Sequence, residues 1–263
     1  MRLGVSTACF YPQPLEEILP VLSGMGVRAA EIFFNTESEF EPRFYERLGA
    51  QAAQLGLDIV SIHPYTSLME GLLFFSDYRR RLEDGLTQYR RYFACAAALG
   101  ARCLTFHGER DMGPPDTPER WARKCAAYRR LCALADEYGV KVAQENVAWC
   151  RSRHPDYIRA LYRDVPELRY TLDIKQAHRA GQDWRVLMDA MGDRLINVHI
   201  NDFSKEQSCM LPCSGMMDYT AFFSRMHRLG YDGHALVEVY RSNFGEAEEL
   251  RRSVCALSRF VPR

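Results

Sequence analysis

The chain has 263 residues, of which 47% are hydrophobic and 26% charged, proportions ordinary for a soluble globular protein. Its 34 basic residues balance its 34 acidic ones, which argues against a surface built to bind a polyanion such as nucleic acid. No apolar run approaches the roughly 20 residues of a transmembrane helix, and Met1 leads directly into a strand. The nine cysteines are scattered, several of them within apolar helical patterns, as is typical of reduced, buried thiols. We therefore expect a cytoplasmic protein that neither enters a membrane nor binds nucleic acid.

The first half of the chain alternates apolar strands with helices. The predicted strands are short and rich in β-branched and aromatic residues, and lie at 3–10, 29–34, 57–62, 102–106 and 140–144. Between them, apolar residues at helical spacing predict helices over 15–25, 42–55, 82–99 and 121–135. A glycine follows each helix, as is typical of helix C-termini: Gly26, Gly56, Gly100 and Gly139.

The second half repeats this rhythm. Strands are predicted at 170–172, 195–198 and 235–237, and helices at 155–162, 184–191, 219–229 and 246–260. Eight successive strand–helix units without a linker predict one α/β domain, 1–263, built as a closed parallel (β/α)8 TIM barrel with right-handed crossovers. An open doubly wound sheet is the alternative, but no glycine-rich phosphate-binding fingerprint follows the first strand.

Four of these strands run into a residue that can bind a metal ion, namely Glu145, Asp173, His199 and Glu238. Because the C-terminal ends of the strands in such a barrel lie at one face, the four side chains can converge on one point. Three carboxylates and one imidazole suit Mn²⁺, Mg²⁺ or Co²⁺, and also Zn²⁺ in a tighter geometry. A single carboxylate at a strand end can equally cap a helix, but that explanation has to hold at every one of these strands. We therefore predict a site for a divalent ion, with Mn²⁺ as the preferred ion.

The motifs around these residues occur in an order that resembles the xylose isomerase-like barrel superfamily. They are Gln144-Glu145-Asn146, Leu172-Asp173, Val198-His199-Ile200-Asn201-Asp202 and Val237-Glu238-Val239. This superfamily includes D-tagatose 3-epimerase-type sugar epimerases, inosose-processing enzymes, hydroxypyruvate isomerase and endonuclease IV. The resemblance implies one metal ion shared by the four predicted ligands. In epimerase-type members it further implies that Glu145 and Glu238 flank the substrate and move its proton.

The chemistry that this site would perform is proton transfer next to a carbonyl group. Removal of that proton leaves an enediolate, which a divalent cation stabilises through both oxygens. Epimerisation needs a carboxylate on each face of the carbon, whereas a 1,2-aldose–ketose shift needs only one. The leading hypothesis is a metal-dependent isomerase or epimerase acting on a small carbohydrate substrate, such as a sugar, ketose, polyol-derived ketone or sugar phosphate. The alternatives are an inosose-type dehydratase, a metal-dependent hydrolase such as an endonuclease IV-like phosphodiesterase, and a sugar-binding barrel without catalysis. A homo-oligomer is left open.

Further polar residues near the strand ends are candidates for substrate binding. His63 and His107 end strands three and four and resemble histidines that hold an additional zinc in endonuclease IV. They either bind a second ion beside Glu145 or donate hydrogen bonds to sugar hydroxyls. Gln176 stands where family members often carry a histidine, so it can hydrogen-bond a hydroxyl but cannot relay protons at neutral pH. The Asp-x-His pair expected of endonuclease IV-like members is missing after strand seven, which disfavours a trinuclear phosphodiesterase site.

The sequence leaves the roles of two charged residues, Lys175 and Glu31, undecided. The chain has 30 arginines and only four lysines, so a lysine two residues beyond Asp173 is notable. Lys175 either lies on a solvated loop or reaches the pocket mouth, where it would neutralise a substrate oxyanion or carboxylate, or transfer a proton. Lys124, on a predicted helix, is expected to be inert by comparison. Glu31, in the second strand, either supports the site or caps a helix.

Overall fold

Eight parallel strands pair in chain order, and the last pairs with the first, so the sheet closes into a barrel. The computed structural model describes residues 1–261. The strands are β1 (Arg2–Ser6), β2 (Ala29–Phe33), β3 (Asp58–His63), β4 (Cys103–Phe106), β5 (Lys141–Glu145), β6 (Arg169–Asp173), β7 (Leu195–Ile200) and β8 (His234–Val237). The predicted TIM barrel is confirmed.

The helices surround this barrel. They are α1 (Leu15–Gly24), α2 (Pro42–Gln54), α3 (Glu70–Phe74), α4 (Arg79–Ala98), α5 (Pro118–Asp136), α6 (Pro155–Asp164), α7 (Ile174–Arg179), α8 (Trp184–Met191), α9 (Tyr219–Arg228) and α10 (Ala247–Leu257). The sequence pattern predicted all of them except α3 and α7, which are too short to show a helical period. Both lie in the connections that follow strand C-termini, so they form part of the face on which the predicted site lies.

Several element boundaries lie a few residues from their predicted positions, and two of these differences have clear local reasons. The first strand stops at Ser6, because the Ser6 hydroxyl accepts a hydrogen bond from Ala8 N and caps a 3-10 turn over Thr7–Phe10. The last helix stops at Leu257 and continues as a 3-10 turn over Ser258–Phe260. Neither change moves a predicted site residue.

Most of the core lies between the barrel and its helices and is apolar, but the barrel interior itself contains buried polar residues. Ser61, Thr105, Thr171 and Asn197 are buried there, together with Glu31. Burial of a carboxylate is unfavourable unless hydrogen bonds compensate it, so these polar groups indicate a purpose beyond packing. Because they come from several strands, they surround the axis directly beneath the C-terminal ends.

The cysteines behave as the sequence indicated. Seven are buried, all are free thiols, and two, Cys213 and Cys255, are exposed. Burial raises the pKa of the Cys9 thiol to about 12, so this thiol is unreactive at neutral pH. Within residues 1–261, no helix combines the length and the apolar character needed to cross a bilayer.

Candidate metal centre

The four predicted ligands lie side by side at the C-terminal ends of β5 to β8. The Nδ1 atom of His199 lies 2.8 Å from Glu238 Oε2, 3.4 Å from Glu145 Oε1 and 3.6 Å from Asp173 Oδ2. The closed barrel makes β5 to β8 neighbours in sequence order, and the register pairs Asp173 directly with His199. The convergence predicted from the strand ends is therefore present.

Each of these four residues also presents a buried polar atom that, despite its close neighbours, makes no hydrogen bond of suitable geometry in the described part of the chain. The atoms are Glu145 Oε2, Asp173 Oδ2, His199 Nδ1 and Glu238 Oε2. Unpaired buried polar atoms are rare in folded proteins. Asp173 Oδ2 and Glu238 Oε2 both lie within 3.6 Å of His199 Nδ1, so these three atoms call for a common partner, whereas Glu145 Oε2 faces His107. Three carboxylates and an imidazole nitrogen form a donor set that suits a hard divalent cation. The residues present thus fit the ion that the sequence predicted.

The pKa values in this cluster reflect an excess of carboxylates over positively charged groups. Burial and the neighbouring carboxylates raise the pKa of Asp173 above its ordinary value, although Lys175 opposes the shift. Burial disfavours the charged form of His199, but Glu31 and Glu238 outweigh it and hold the His199 pKa well above the usual range. Burial likewise opposes ionisation of Glu238, yet Lys175 and His199 keep its pKa low. A cation in this cluster would be strongly stabilised.

Glu31 lies in the barrel interior beneath these residues. Its Oε2 atom lies 3.1 Å from His199 Nε2, the ring nitrogen that faces away from the other three ligands. The sequence left this glutamate undecided between supporting the site and capping a helix, and its burial inside β2 excludes the cap. A carboxylate behind a histidine ligand orients the ring and selects its tautomer.

A second cluster adjoins the first on the side of β3 and β4. His63 Nε2 and His107 Nε2 lie 2.8 Å apart, and Glu145 Oε2 lies 2.9 Å from His107 Nε2 and 3.8 Å from His63 Nε2. His63 Nδ1 lies 3.2 Å from the carbonyl oxygen of Pro64. The structure thus brings both histidines to Glu145. The three atoms are close enough either to share a second ion or to bind a hydroxyl group.

Lys175 does not lie on a solvated loop. It belongs to α7 and is only 2% exposed. Its ammonium group lies 2.6 Å from Glu238 Oε1 and 3.5 Å from Asp173 Oδ2. Burial opposes its charge, but the two carboxylates hold the Lys175 pKa well above the ordinary value. The proposed transfer of a proton through a lowered pKa is therefore not favoured, whereas a fixed positive charge at the site is.

Gln176 is placed beside the same cluster. Its backbone N–H donates to Asp173 Oδ1 at 2.8 Å, which makes Asp173 the N-cap of α7. Its side-chain oxygen accepts a hydrogen bond from Ala148 N at 3.2 Å. Gln176 therefore joins the loop after β5 to the start of α7, and its side-chain oxygen already accepts a hydrogen bond within the protein.

The sequence reasoning missed a residue that supports His107. Glu70, in α3, is fully buried, and its Oε2 atom accepts hydrogen bonds from His107 N at 2.6 Å and Gly108 N at 2.7 Å. The Tyr89 hydroxyl donates to its Oε1 atom at 2.5 Å. Burial raises the pKa of Glu70 to about 8 although these donors favour the charged form. The only signal in the sequence was one glutamate inside an apolar loop.

Lys124 is not the exposed helix residue that a neutral control requires. Lys124 is 2% exposed, because its face of α5 packs against the loop that follows β4. Its ammonium group pairs with Glu109 and with Asp116, the latter at 2.6 Å, and Arg151 Nε lies 3.1 Å from Glu109. Lys124 is thus part of a buried ion network outside the candidate site, where we expect substitution to destabilise the fold.

Comparison with known proteins agrees with this architecture. The model of a family described as xylose isomerase-like TIM barrel matches residues 19–259. No curated protein matches the chain significantly. Three solved structures illustrate the likeness of fold. D-psicose 3-epimerase in the presence of D-fructose has a TM-score of 0.82 at 15% identity, with 99% of each chain covered. A D-tagatose 3-epimerase-like protein has a TM-score of 0.80 at 18% identity, with 99% of this chain and 98% of that chain covered. The 3-keto-D-glucoside 4-epimerase from E. coli has a TM-score of 0.77 at 18% identity, with 98% of this chain and 99% of that chain covered.

At these identities the solved structures establish the fold, whereas the match to the family model covers nearly the whole chain. This chain belongs to the xylose isomerase-like TIM-barrel family.

Proposed function

We propose that this protein is a divalent-metal-dependent isomerase or epimerase of a small sugar, ketose, polyol-derived ketone or sugar phosphate. The observation that carries the proposal is the convergence of Glu145, Asp173, His199 and Glu238, each with an unpaired buried polar atom, at the face of the barrel where active sites are built. The likeness of fold to two sugar epimerases and one D-tagatose 3-epimerase-like protein supports the choice of substrate class.

In this mechanism the four residues would hold the ion, preferably Mn²⁺, and the ion would stabilise negative charge on two adjacent substrate oxygens. Glu145 and Glu238 act as the acid–base pair. One carboxylate takes the proton from the carbon next to the carbonyl group, and the other returns a proton to the opposite face. Both glutamates lie close to His199 Nδ1, at 3.4 and 2.8 Å, so both can reach one substrate bound there.

The surroundings of the two glutamates differ and suggest different duties for the substrate-binding residues. Glu145 Oε2 lies against His107, which contacts His63, so these imidazoles can exchange protons with Glu145 or bind a substrate hydroxyl. Glu238 Oε1 accepts a hydrogen bond from Lys175 instead. The ammonium group of Lys175 keeps a positive charge beside the reacting oxygens.

A second candidate function follows from the cluster of His63, His107 and Glu145. If these residues hold a second ion, the site becomes a two-ion centre of the kind that hydrolyses phosphate esters. The dehydratase alternative uses the same first proton transfer and differs only in the loss of a hydroxyl group.

These reactions are separated by one experiment. The purified protein, loaded with Mn²⁺, is incubated in D₂O with a panel of ketoses, inososes and their phosphates, together with a phosphodiester. Proton NMR and mass spectrometry then follow each compound. An epimerase or isomerase exchanges one C–H proton for deuterium without loss of atoms. A dehydratase product is lighter by one water molecule, and a hydrolase releases a phosphomonoester. Hydrolysis without any C–H exchange would contradict the proposal.

A further inference from the structure

Glu31 is the centre of a buried hydrogen-bond network directly beneath the candidate metal centre. It has no exposed surface. Its carboxylate faces five side-chain donors: Ser6 Oγ at 3.2 Å, Ser61 Oγ at 2.7 Å, Thr105 Oγ1 at 3.2 Å, Asn197 Nδ2 at 3.5 Å and His199 Nε2 at 3.1 Å. An ionised carboxylate only accepts hydrogen bonds, so Nε2 of His199 carries a hydrogen. In the neutral ring the lone pair then lies on Nδ1, which is the atom that faces the other ligands.

Lys175 occupies the opposite side of the same cluster. Its ammonium group donates to Glu238 Oε1 at 2.6 Å and lies 3.5 Å from Asp173 Oδ2. The face of the Tyr240 ring covers it, with 5.1 Å from Nζ to the ring centroid. Since Lys175 is 2% exposed, water screens its charge very little. A fixed positive charge therefore lies next to two of the predicted ligands.

We propose that Glu31 and Lys175 are positioning residues with opposite effects on the affinity of the centre for its divalent ion. Glu31 raises this affinity by orienting His199 and directing its Nδ1 lone pair at the ion. Lys175 weakens it, because its charge repels a cation and draws electron density from Glu238. This inference rests on the proposed metal-dependent function and deepens it.

The opposition has a chemical reason. Glu31, Glu145 and Asp173 are buried and the Glu238 side chain is 15% exposed, and four negative charges around a doubly charged ion would cancel its pull on the substrate. The positive charge of Lys175 neutralises one of these negative charges. The ion is then bound somewhat less tightly but keeps more charge with which to stabilise a substrate oxyanion.

Opposite signs also separate these roles from general damage to the structure. A substitution that merely loosens the barrel lowers the affinity for the ion whichever residue is changed. We expect Glu31→Gln to lower Mn²⁺ affinity about tenfold or more, the usual effect of losing an outer partner of a histidine ligand. Lys175→Met keeps most of the length of the side chain and removes its charge. It should raise Mn²⁺ affinity by about fivefold or more, because a like charge close to the ion is lost.

The test is a Mn²⁺ titration of the full chain after dialysis against a chelator, with free Mn²⁺ followed by EPR. Two matched controls accompany the variants. Thr105→Val removes a hydroxyl that donates to Glu31 at 3.2 Å but leaves the contact between Glu31 and His199 in place. Lys141→Met removes a lysine at the start of β5, at the other end of the strand from Glu145. Both controls should bind Mn²⁺ within about twofold of wild type, since neither touches a ligand.

A second measurement covers the case in which Glu31→Gln does not fold. In the Zn²⁺-loaded wild type labelled with ¹⁵N, long-range ¹H–¹⁵N spectra report which imidazole nitrogen carries hydrogen. The His199 resonances are identified by their loss in His199→Gln. Hydrogen on Nε2 supports the role of Glu31, and hydrogen on Nδ1 overturns it.

The outcomes distinguish this inference from the function on which it rests. If wild type binds no Mn²⁺, the metal centre and this inference both fail. If wild type binds Mn²⁺ but the Glu31 and Lys175 variants shift its affinity in the same direction, or not at all, this inference alone is overturned. A loss at Glu31→Gln together with a gain at Lys175→Met supports it.

Discussion

Asn146 and Asp173 exchange two hydrogen bonds across the ends of β5 and β6. The backbone N–H of Asp173 donates to Asn146 Oδ1 at 2.7 Å, and Asn146 Nδ2 donates to the carbonyl oxygen of Asp173 at 2.9 Å. Asn146 is fully buried and follows Glu145 directly. This reciprocal pair therefore fixes the backbone of one predicted ligand relative to that of another, so the centre is held rigidly before anything binds to it.

The first prediction concerns the ion itself. Purified wild type should contain about one divalent ion per chain, and Asp173→Ala or His199→Ala should remove it, because each supplies one of only four ligands. Activity should be abolished, and the effect should not be limited to a rise in KM. Elemental analysis is the measurement. Asp202→Asn is the matched control, since Asp202 is also buried after β7 but accepts from Phe203 N and Met217 N. Equal metal in wild type and Asp173→Ala would show that the assigned ligands are wrong.

The second prediction separates the two glutamates. Glu145→Gln and Glu238→Gln should each stop net epimerisation, because one face of the substrate then lacks a base. Exchange of the substrate proton with D₂O should survive in one of the two variants, and NMR measures both rates. In wild type the product should carry solvent deuterium. A product formed without deuterium would indicate a hydride shift and would contradict the two-base mechanism while leaving the ion in place.

The third prediction tests whether His63 and His107 hold a second ion. Glu145 directs Oε1 at His199 and Oε2 at His107, so the two clusters use different oxygens. We expect His107→Gln to keep about one ion per chain and to raise KM severalfold, as loss of a hydroxyl-binding group would. Metal analysis and steady-state kinetics are the measurements. Two ions in wild type and one in His107→Gln would favour the two-ion hydrolase instead.

The sequence predicted the barrel and the convergence of the candidate ligands because both depend on patterns along the chain. Apolar strands alternating with amphipathic helices are repeated eight times, and a parallel barrel puts every strand end at one face. Glu145, Asp173 and His199 could therefore be placed near one another without knowing any distance. Pairing of β5 to β8 as neighbours follows from the same rule.

Residues whose roles depend on contacts between distant segments were not predictable in this way. Glu70 and His107 are 37 residues apart, and nothing in either segment shows that one supports the other. Lys124 looks like any helix lysine until the loop that follows β4 packs over it. The direction of Glu31 was open because a residue in a barrel strand can face inward or outward, and only the register decides.

The fourth prediction concerns the charge at Lys175. Lys175→Arg should lower turnover by roughly tenfold or more, since a guanidinium cannot fit in the space that a buried ammonium occupies between Glu238 and Asp173. Steady-state kinetics on the true substrate measure this. The control is Lys141→Arg, because Lys141 is half-exposed and lies at the end of β5 remote from Glu145. Lys124 is buried, so it is unsuitable as a control. Near-wild-type turnover in Lys175→Arg would show that the ammonium group has no special role.

The last prediction is a pH dependence of stability that originates at Glu70. Burial raises its folded-state pKa to about 8, from an ordinary value of 4.5. Between these values the folded protein holds a proton that the unfolded chain has released, so the free energy of unfolding falls as pH rises. The slope contributed by this group reaches at most about 1.4 kcal/mol per pH unit, and it vanishes above pH 8, where both states are ionised.

Glu70→Gln isolates this contribution. The amide keeps an oxygen that can accept from His107 N and Gly108 N, and its NH₂ group can donate to Tyr89. Urea unfolding at pH 6 and pH 9 should therefore show the variant gaining stability relative to wild type as pH rises. Glu46→Gln makes the same chemical change at an exposed position of α2 and should stay parallel to wild type. If the Glu70→Gln and wild-type free energies also run parallel between these pH values, Glu70 is ionised throughout and its buried charge is fully compensated by its three donors.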